Sequence, residues 1–438
     1  MNGGVALTDL ALGIDFGTSG ARAIALDPSN QIVAESRHVF TPSQVDNPIA
    51  WRSVLYQLIK AIPQRSRLHR IAINGTSATV LLCDAKQNPL TPALLYNDTR
   101  ARSALTLVEQ TAPAGSATLS ATSSLTKALW WFETLDPAVK SQVSQLAHQA
   151  DWLAAQLHGQ AAKSDYHNAL KLGYDVHKCA YPNWLLALPI ASWLPRVWEP
   201  GSAISPISST MAADLSLPKT CQICAGTTDS IAAFLASGAT QPGEGVTSLG
   251  STLVLKLLSR RSIDDSTFGV YSHKLGDLWL AGGASNTGGA VLKQFFSSEQ
   301  IAALSAQIDP TAPCSLRYYP LNRPGERFPI NDPDYLPQLA PRPAEDKAFL
   351  HGLLDSIARI EAEGYQKLHE LGGPAVTRVY TAGGGAQNEL WRSLRQQKIG
   401  KPVTAAAQTE AAYGTAQLAM NGLTAFKQNK TLTKTVLD

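Results

Sequence analysis

Residues 12–27 read LGIDFGTSGARAIALD, and their pattern decides the fold. Residues 10–14 form a short apolar run of strand character, and residues 21–26 resume one after Gly17, Thr18, Ser19 and Gly20. Two strands joined by a tight turn of glycine and hydroxyl residues leave backbone N–H groups facing a concavity that suits anionic oxygen. Thr18 and Ser19 add hydroxyl donors, whereas Arg22 sits too far along the second strand to help. Asp15, at the end of the first strand, is out of place beside a phosphate unless a divalent cation lies between. Mg²⁺ keeps several waters and needs only one or two carboxylates, which suits that position. The competing reading is an ordinary hairpin whose aspartate caps a turn.

A second, weaker copy follows at residues 246–258, VTSLGSTLVLKLL, which sets Gly250, Ser251 and Thr252 between two strand-like runs. It carries Ser248 where the first copy has Asp15. The pattern is that of an internal duplication in which two hairpins grip phosphates and one supplies a carboxylate. Chance similarity between two Gly-Ser-Thr turns is the alternative.

Composition sets outer limits. A chain of 438 residues exceeds the size at which one core keeps growing, so two domains are expected, with a boundary near residue 237. An apolar fraction of 44% with 16% charged residues describes a globular chain with ample core. The formal charge of +3 comes without a Lys/Arg block and gives no electrostatic case for nucleic acid. No apolar run approaches the roughly 20 residues that span a bilayer, and the N-terminus lacks a signal pattern, so no membrane partner and a cytoplasmic location are expected. Five scattered cysteines make no disulfide framework. Cys221 and Cys224 lie in CQICAGTTDS, which reads as strand, where positions three apart face opposite sides.

Along the chain, Trp51, Val54, Leu55, Leu58 and Ile59 fall at helical spacing before a strand at residues 70–77. Strands alternating with helical crossovers imply an α/β domain with a mixed sheet. Helices are expected at residues 99–111, 139–157 and 184–194, then at 345–371, where Phe349, Leu350, Leu353, Leu354 and Ile357 share a face. Residues 376–400 read as strand, glycine turn and helix. Gly383, Gly384 and Gly385 allow close backbone approach to a ligand beside a helix N-terminus, and lack the G-x-G-x-x-G spacing of a dinucleotide fold.

These residues together resemble the FGGY carbohydrate kinase family of the actin/hexokinase/Hsp70 superfamily. The resemblance rests on GIDFGTS, PALLYNDTR, AGTTDSIAAFLASG, GSTLVL, GGASNTGG, PGERFP, AGGGAQNELW, IGKPV and TEAAYGTAQLA, in the family's order and over nearly the whole chain. It implies two duplicated actin-like (ribonuclease H-like) α/β domains with an interdomain cleft. Residues 1–237 would bind sugar and carry the first phosphate hairpin, and residues 238–438 would bind ATP. The implied cofactors are ATP and Mg²⁺. Asp229 matches the family's catalytic base, and Asp15 its metal-associated aspartate, which can also contact the sugar. Thr18, Ser19, Gly20, Gly250, Ser251 and Thr252 match the phosphate hairpins, with Thr18 also on the substrate side. Gly383, Gly384, Gly385, Ala386, Gln387 and Asn388 match the adenosine-side turn. Asn97 and Asp98 match an N-D-x-R sugar segment, for which an Asx-turn is the structural alternative. Lys127 matches a basic position of less certain role, and Trp130 and Trp131 read as core.

Sugar recognition is where the chain departs from the family. Where the xylulose-kinase-like branch has Gln-Met-His-Gly, this chain has Thr76-Ser77-Ala78-Thr79, whose Ser77 and Thr79 hydroxyls can bond a polyol. The expected activity is ATP-dependent phosphorylation of a ketopentose, D-ribulose ahead of D-xylulose, by a monomer or homodimer. The alternatives are a D-xylulose kinase, a slow kinase that mainly hydrolyses ATP, an actin-like ATP-switched binding module, and an ATP-dependent activator with an iron–sulfur cluster.

Overall fold

A computed structural model describes residues 9–427. β1 (Leu10–Phe16) is buried almost throughout and returns antiparallel as β2 (Gly20–Leu26), with Asp15 opposite Arg22. Asp27 stops β2 in an Asx turn, its Oδ1 accepting the Ser29 and Gln31 N–H groups at 2.8 and 3.0 Å. β3 (Ile32–Val39) continues the meander. Asn47 caps α1 (Pro48–Lys60), which buries Trp51, Val54, Leu55, Leu58 and Ile59 on the face anticipated from spacing. β4 (Leu68–Gly75) then runs parallel to β1 and sets Asn74 beside Asp15. β5 (Val80–Cys83) follows.

The middle third departs from the expected helices. Residues 99–111 divide into a 3₁₀ turn at Arg100–Ala104 and α2 (Leu105–Thr111), and α3 (Ser124–Thr134) follows. The single helix expected over 139–157 is instead α4 (Pro137–Lys140), β6 (Gln145–His148) and α5 (Gln149–His158). β6 pairs antiparallel with the buried β5, so strand pairing outweighs local helix preference. After β7 (Lys163–Asp165), the helix expected at 184–194 is cut to α6 (Asn183–Leu186) and a 3₁₀ turn at Ala191–Trp193. Pro189, between them, has no N–H to carry a helix through. β8 (Arg196–Trp198) pairs with β7. β9 (Ala203–Pro206), α7 (Ser209–Leu215), β10 (Gln222–Cys224), β11 (Thr227–Thr228) and α8 (Asp229–Ala236) complete the first half. Its sheet has the order β3-β2-β1-β4-β10-β9, with β11 also on β4.

The second half repeats this plan. β12 (Glu244–Leu249) and β13 (Leu253–Ser259) form the second hairpin, followed by β14 (Tyr271–Leu275), β15 (Leu278–Ser285), α9 (Gly289–Leu292) and α10 (Ser298–Ser305). α11 (Asp346–Glu370) buries the five residues read as its apolar face. β16 (Arg378–Ala382), α12 (Glu389–Ile399) and β17 (Val403–Ala405) complete an order β14-β15-β13-β12-β16-β17. β12 is antiparallel to β13 and parallel to β16, as β1 is to β2 and β4. Ser248 occupies the place of Asp15, and its β16 partner is Ala382 where Asp15 has Asn74.

The last helix crosses back. α13 (Ala411–Asn421) packs on β1, β4 and α8. A Cβ on Gly13 would lie 2.1 Å from the Ala416 nitrogen, so only glycine lets strand and helix backbones approach this closely. A third apolar cluster, including Tyr166, Ile231, Val246, Leu258 and Leu418, joins the halves. No helix among the described residues is long and apolar enough to cross a membrane.

Candidate active-site cleft

Two cavities hold most of the residues singled out from the sequence. The larger, about 780 Å³, opens between the β12–β13 turn and the glycine turn after β16. Gly250, Ser251, Gly384, Gly385, Gln387 and Asn388 line it together. The turn after β16 needs glycine at Gly383, which has φ +85° and whose Cβ would lie 2.7 Å from the Leu249 carbonyl oxygen. Gly383, Ala386 and Thr252 support the wall without lining it. Asn388 caps α12, accepting the Trp391 N–H at 2.9 Å, and its Nδ2 donates to Ser305 on α10. The second hairpin is braced from outside its turn, because the Gly289 and Ala290 N–H groups donate to the Gly250 and Ser251 carbonyls at 2.9 and 3.1 Å.

The smaller cavity, about 360 Å³, takes Thr18, Thr76 and Ser77 from the first half together with Asp229 and Ser230 at the start of α8. Lys171, Tyr96, and Tyr271 and His273 from β14 complete its wall. None of these four was singled out from the sequence. The only trace of the β14 pair is the two-residue spacing that turns alternate strand residues to one side. Asn97 and Asp98 do not line this cavity. Asn97 is exposed, and Asp98 is engaged by Arg100 at 2.5–3.0 Å. Against the upward push of burial, that guanidinium holds Asp98 below the usual carboxylate range. Thr79 is also spent internally, sharing a hydrogen bond with Thr76 and accepting the Tyr96 N–H at 3.0 Å. Lys127 fastens the same loops, its Nζ donating to the Ala78 and Leu95 carbonyls. Ser19 is exposed at the first turn, its carbonyl accepting the Phe40 N–H, and Gly20 admits the close pass of β3.

The charges around these cavities are strongly coupled. Burial, then Asp229 and Glu410, push the Asp15 carboxyl up to about 7, with Asn74 and Arg22 pulling the other way. Asp15 Oδ1 is buried without a hydrogen-bond partner. Burial also raises Asp229, offset in part by the Ser230 N–H at 2.6 Å and by Lys256 and Lys171. Lys256, on β13, donates to the Ser230 carbonyl and is itself lowered to about 8 by burial, with Asp229 opposing the shift. Arg22, discounted as a phosphate ligand, ties β3 to α13 through Glu35 and Glu410, each at 2.6 Å. Among the described residues no group of three or more His, Cys, Asp or Glu could hold a metal ion. Cys221 and Cys224 are buried free thiols, and burial pushes Cys221 up to about 12.

Family comparisons agree with this architecture. The model for the N-terminal domain of the FGGY family of carbohydrate kinases matches residues 10–236, and that for its C-terminal domain matches residues 245–423. A xylulose kinase of Escherichia coli is 25% identical over 414 residues, 87% of this chain and 83% of that protein. A gluconokinase of Bacillus subtilis is 22% identical over 439 residues, covering 89% and 82%. The crystal structure of a xylulose kinase from Bifidobacterium adolescentis superposes with a TM-score of 0.80 at 21% identity, covering 95% of this chain and 93% of that one. The chain belongs to the FGGY family of carbohydrate kinases and has its two-domain, actin-like fold.

Proposed function

We propose that this sugar kinase transfers the γ-phosphoryl group of ATP to a ketopentose, D-ribulose, releasing ADP and D-ribulose 5-phosphate. The observation that carries the reading is the meeting of Asp229 with Thr18 and Ser77 in one polar cavity of about 360 Å³, next to the first hairpin turn. Asp229 takes the proton from the terminal sugar hydroxyl as that oxygen attacks the γ-phosphorus and the bond to the bridging oxygen of ADP breaks. Phosphoryl transfer asks mainly for positioning and charge stabilisation. Thr18, Ser19 and Gly20 at one turn and Gly250, Ser251 and Thr252 at the other hold the phosphates, and the turn from Gly383 to Asn388 takes the adenosine.

The orphaned Asp15 Oδ1 suits Mg²⁺, because a buried carboxylate raised to about 7 gains a counter-charge from a hydrated cation. When bound, the ion would neutralise charge developing on the phosphates. Thr18, Ser77 and Lys171, and Tyr96 in place of Asn97 and Asp98, are first-half groups offered to sugar hydroxyls. Phosphorylation of D-xylulose is the second reading, favoured by the likeness to the E. coli enzyme.

The test compares kcat/KM for D-ribulose, D-xylulose, gluconate and glycerol at equal ATP. D-ribulose is expected to rank first, since a site that hydrogen-bonds particular hydroxyls is left with unpaired polar groups by the epimer. A preference for D-xylulose would replace the substrate and leave the kinase standing. ADP formation independent of every sugar would remove the assignment of the small cavity.

A further inference from the structure

Lys256 lies four residues beyond Thr252 on the strand leaving the second hairpin. It is half-buried, and no carboxylate among the described residues lies within 4.0 Å of its ammonium. Its hydrogen bond goes to the backbone carbonyl of Ser230, in the first turn of α8, in the other half of the molecule. For helix stability alone this is a poor place for a cation, because the N-terminal end of a helix already carries partial positive charge. A lysine that gives up hydration for a carbonyl at such a point invites a reason other than packing.

The residue beside that carbonyl is Asp229, whose Oδ1 accepts the Ser230 N–H. A second connection across the halves converges on the same segment. His167 donates from Nε2 to the Lys274 carbonyl on β14 at 2.6 Å, and its Nδ1 accepts the Thr227 hydroxyl at 2.8 Å. Burial holds His167 neutral, lowered to about 4, which fixes those donor and acceptor roles. Residues 227–230 are therefore tied to the second half at both ends, through His167 of the first half at Thr227 and by Lys256 at Ser230. Of these two links, that of Lys256 is the direct one, from the strand that continues the second hairpin turn.

We propose that Lys256 is a positioning residue that sets the Asp229 carboxylate in register with the phosphate-holding turn at Gly250, Ser251 and Thr252. The inference rests on Asp229 acting as the base. Lys256 lines neither cavity, and acts by joining the backbone of the base segment to that of the phosphate turn. Asp229, His167 and His273 face it electrostatically, with Lys171 acting on Asp229 beside it, so its charge also opposes the burial that disfavours an ionised base.

The test measures kcat and both KM values for Lys256→Met, Lys256→Gln and Lys256→Arg, with thermal midpoints, beside Asp229→Ala. Misplacement of a reacting group by about 1 Å costs on the order of 100-fold in rate. Lys256→Met and Lys256→Gln are therefore expected to lose about 10- to 100-fold in kcat with KM for ATP within about twofold. Lys256→Arg, which can donate to the same carbonyl, is expected to recover most of the loss. Wild-type kcat in Lys256→Gln overturns the proposal, as does a loss that arginine does not relieve or one carried by KM for ATP. An active Asp229→Ala enzyme would instead refute the base assignment, whatever the Lys256 variants do.

Discussion

Gly13→Ala tests how the first hairpin is held, because the added methyl has nowhere to go. Its Cβ would lie 2.1 Å from the Ala416 nitrogen, 2.2 Å from the Ala412 carbonyl oxygen and 2.6 Å from the Thr415 carbonyl carbon. Ordinary contact begins near 3.4 Å. These are helix backbone atoms that no rotamer change can move, so α13 must retreat from β1 by about 1.3 Å, a core overpacking that typically costs about 1–3 kcal/mol. The same retreat stretches the 2.6 Å bond from Asn74 Nδ2 to Thr415 Oγ1 beyond hydrogen-bonding range, adding about 1 kcal/mol. Asn74 faces Asp15, so activity should fall with stability. The assay is urea unfolding followed by tryptophan fluorescence, read as the midpoint of the first-half transition, with kcat measured in parallel. Gly384→Ala is the control, since nothing lies within 4 Å of its added methyl and the residue lines the large cavity. That variant should keep its unfolding midpoint and raise KM for ATP. An unchanged midpoint in Gly13→Ala would refute the close-contact argument.

Three further outcomes are expected. Asp229→Ala should lose about 10²–10⁴-fold in sugar-dependent rate with ATP affinity nearly unchanged, as checked by single-turnover kinetics and nucleotide titration; near-full turnover would remove Asp229 as base. Asp15→Ala should lower activity and shift the Mg²⁺ requirement upward, and an unaltered Mg²⁺ titration would take Asp15 out of the metal's reach. Burial lowers Lys127 to about 7 against an ordinary value of 10.5, so between those values the unfolded chain binds the extra proton. Its burial penalty is therefore largest below pH 7 and is relieved as pH rises, by up to about 1.4 kcal/mol per pH unit. Urea midpoints at pH 7, 8 and 9 should diverge between wild type and Lys127→Met, the wild type gaining more; parallel curves would contradict the shift.

What could be read in the chain was what its local backbone dictates. The turns at Gly17–Gly20 and Gly250–Thr252, the face of α1 and the long α11 follow from glycine placement and apolar spacing, and all are found where expected. Residues 139–157 were illegible because β6 exists only by pairing with β5, more than sixty residues earlier. Lys171, Tyr271, His273 and Lys256 were illegible for a related reason. Each reaches its place at or beside the small cavity through tertiary folding, and none sits in a spacing that distinguishes it from a solvated strand or loop residue. The N-D-x-R segment shows the converse, a local motif whose acidic group is occupied by its own Arg100 while Tyr96 lines the cavity.

The duplication explains why the site is asymmetric. Both hairpins present the same turn, yet the position that carries Asp15 on β1 carries Ser248 on β12, and its neighbour across the parallel pair changes from Asn74 to Ala382. A second carboxylate there would add like charge near a site that already holds Asp15 and Asp229. The second half contributes Lys256 instead, a cation directed across the cleft at the segment bearing Asp229. Asp15 and Asp229 thus lie in the first half, and Asp229 is opposed by one ammonium from each half, Lys171 and Lys256. Charge balance around Asp229 consequently depends in part on contact between the halves, because only the Lys171 share of it is supplied from within the first half.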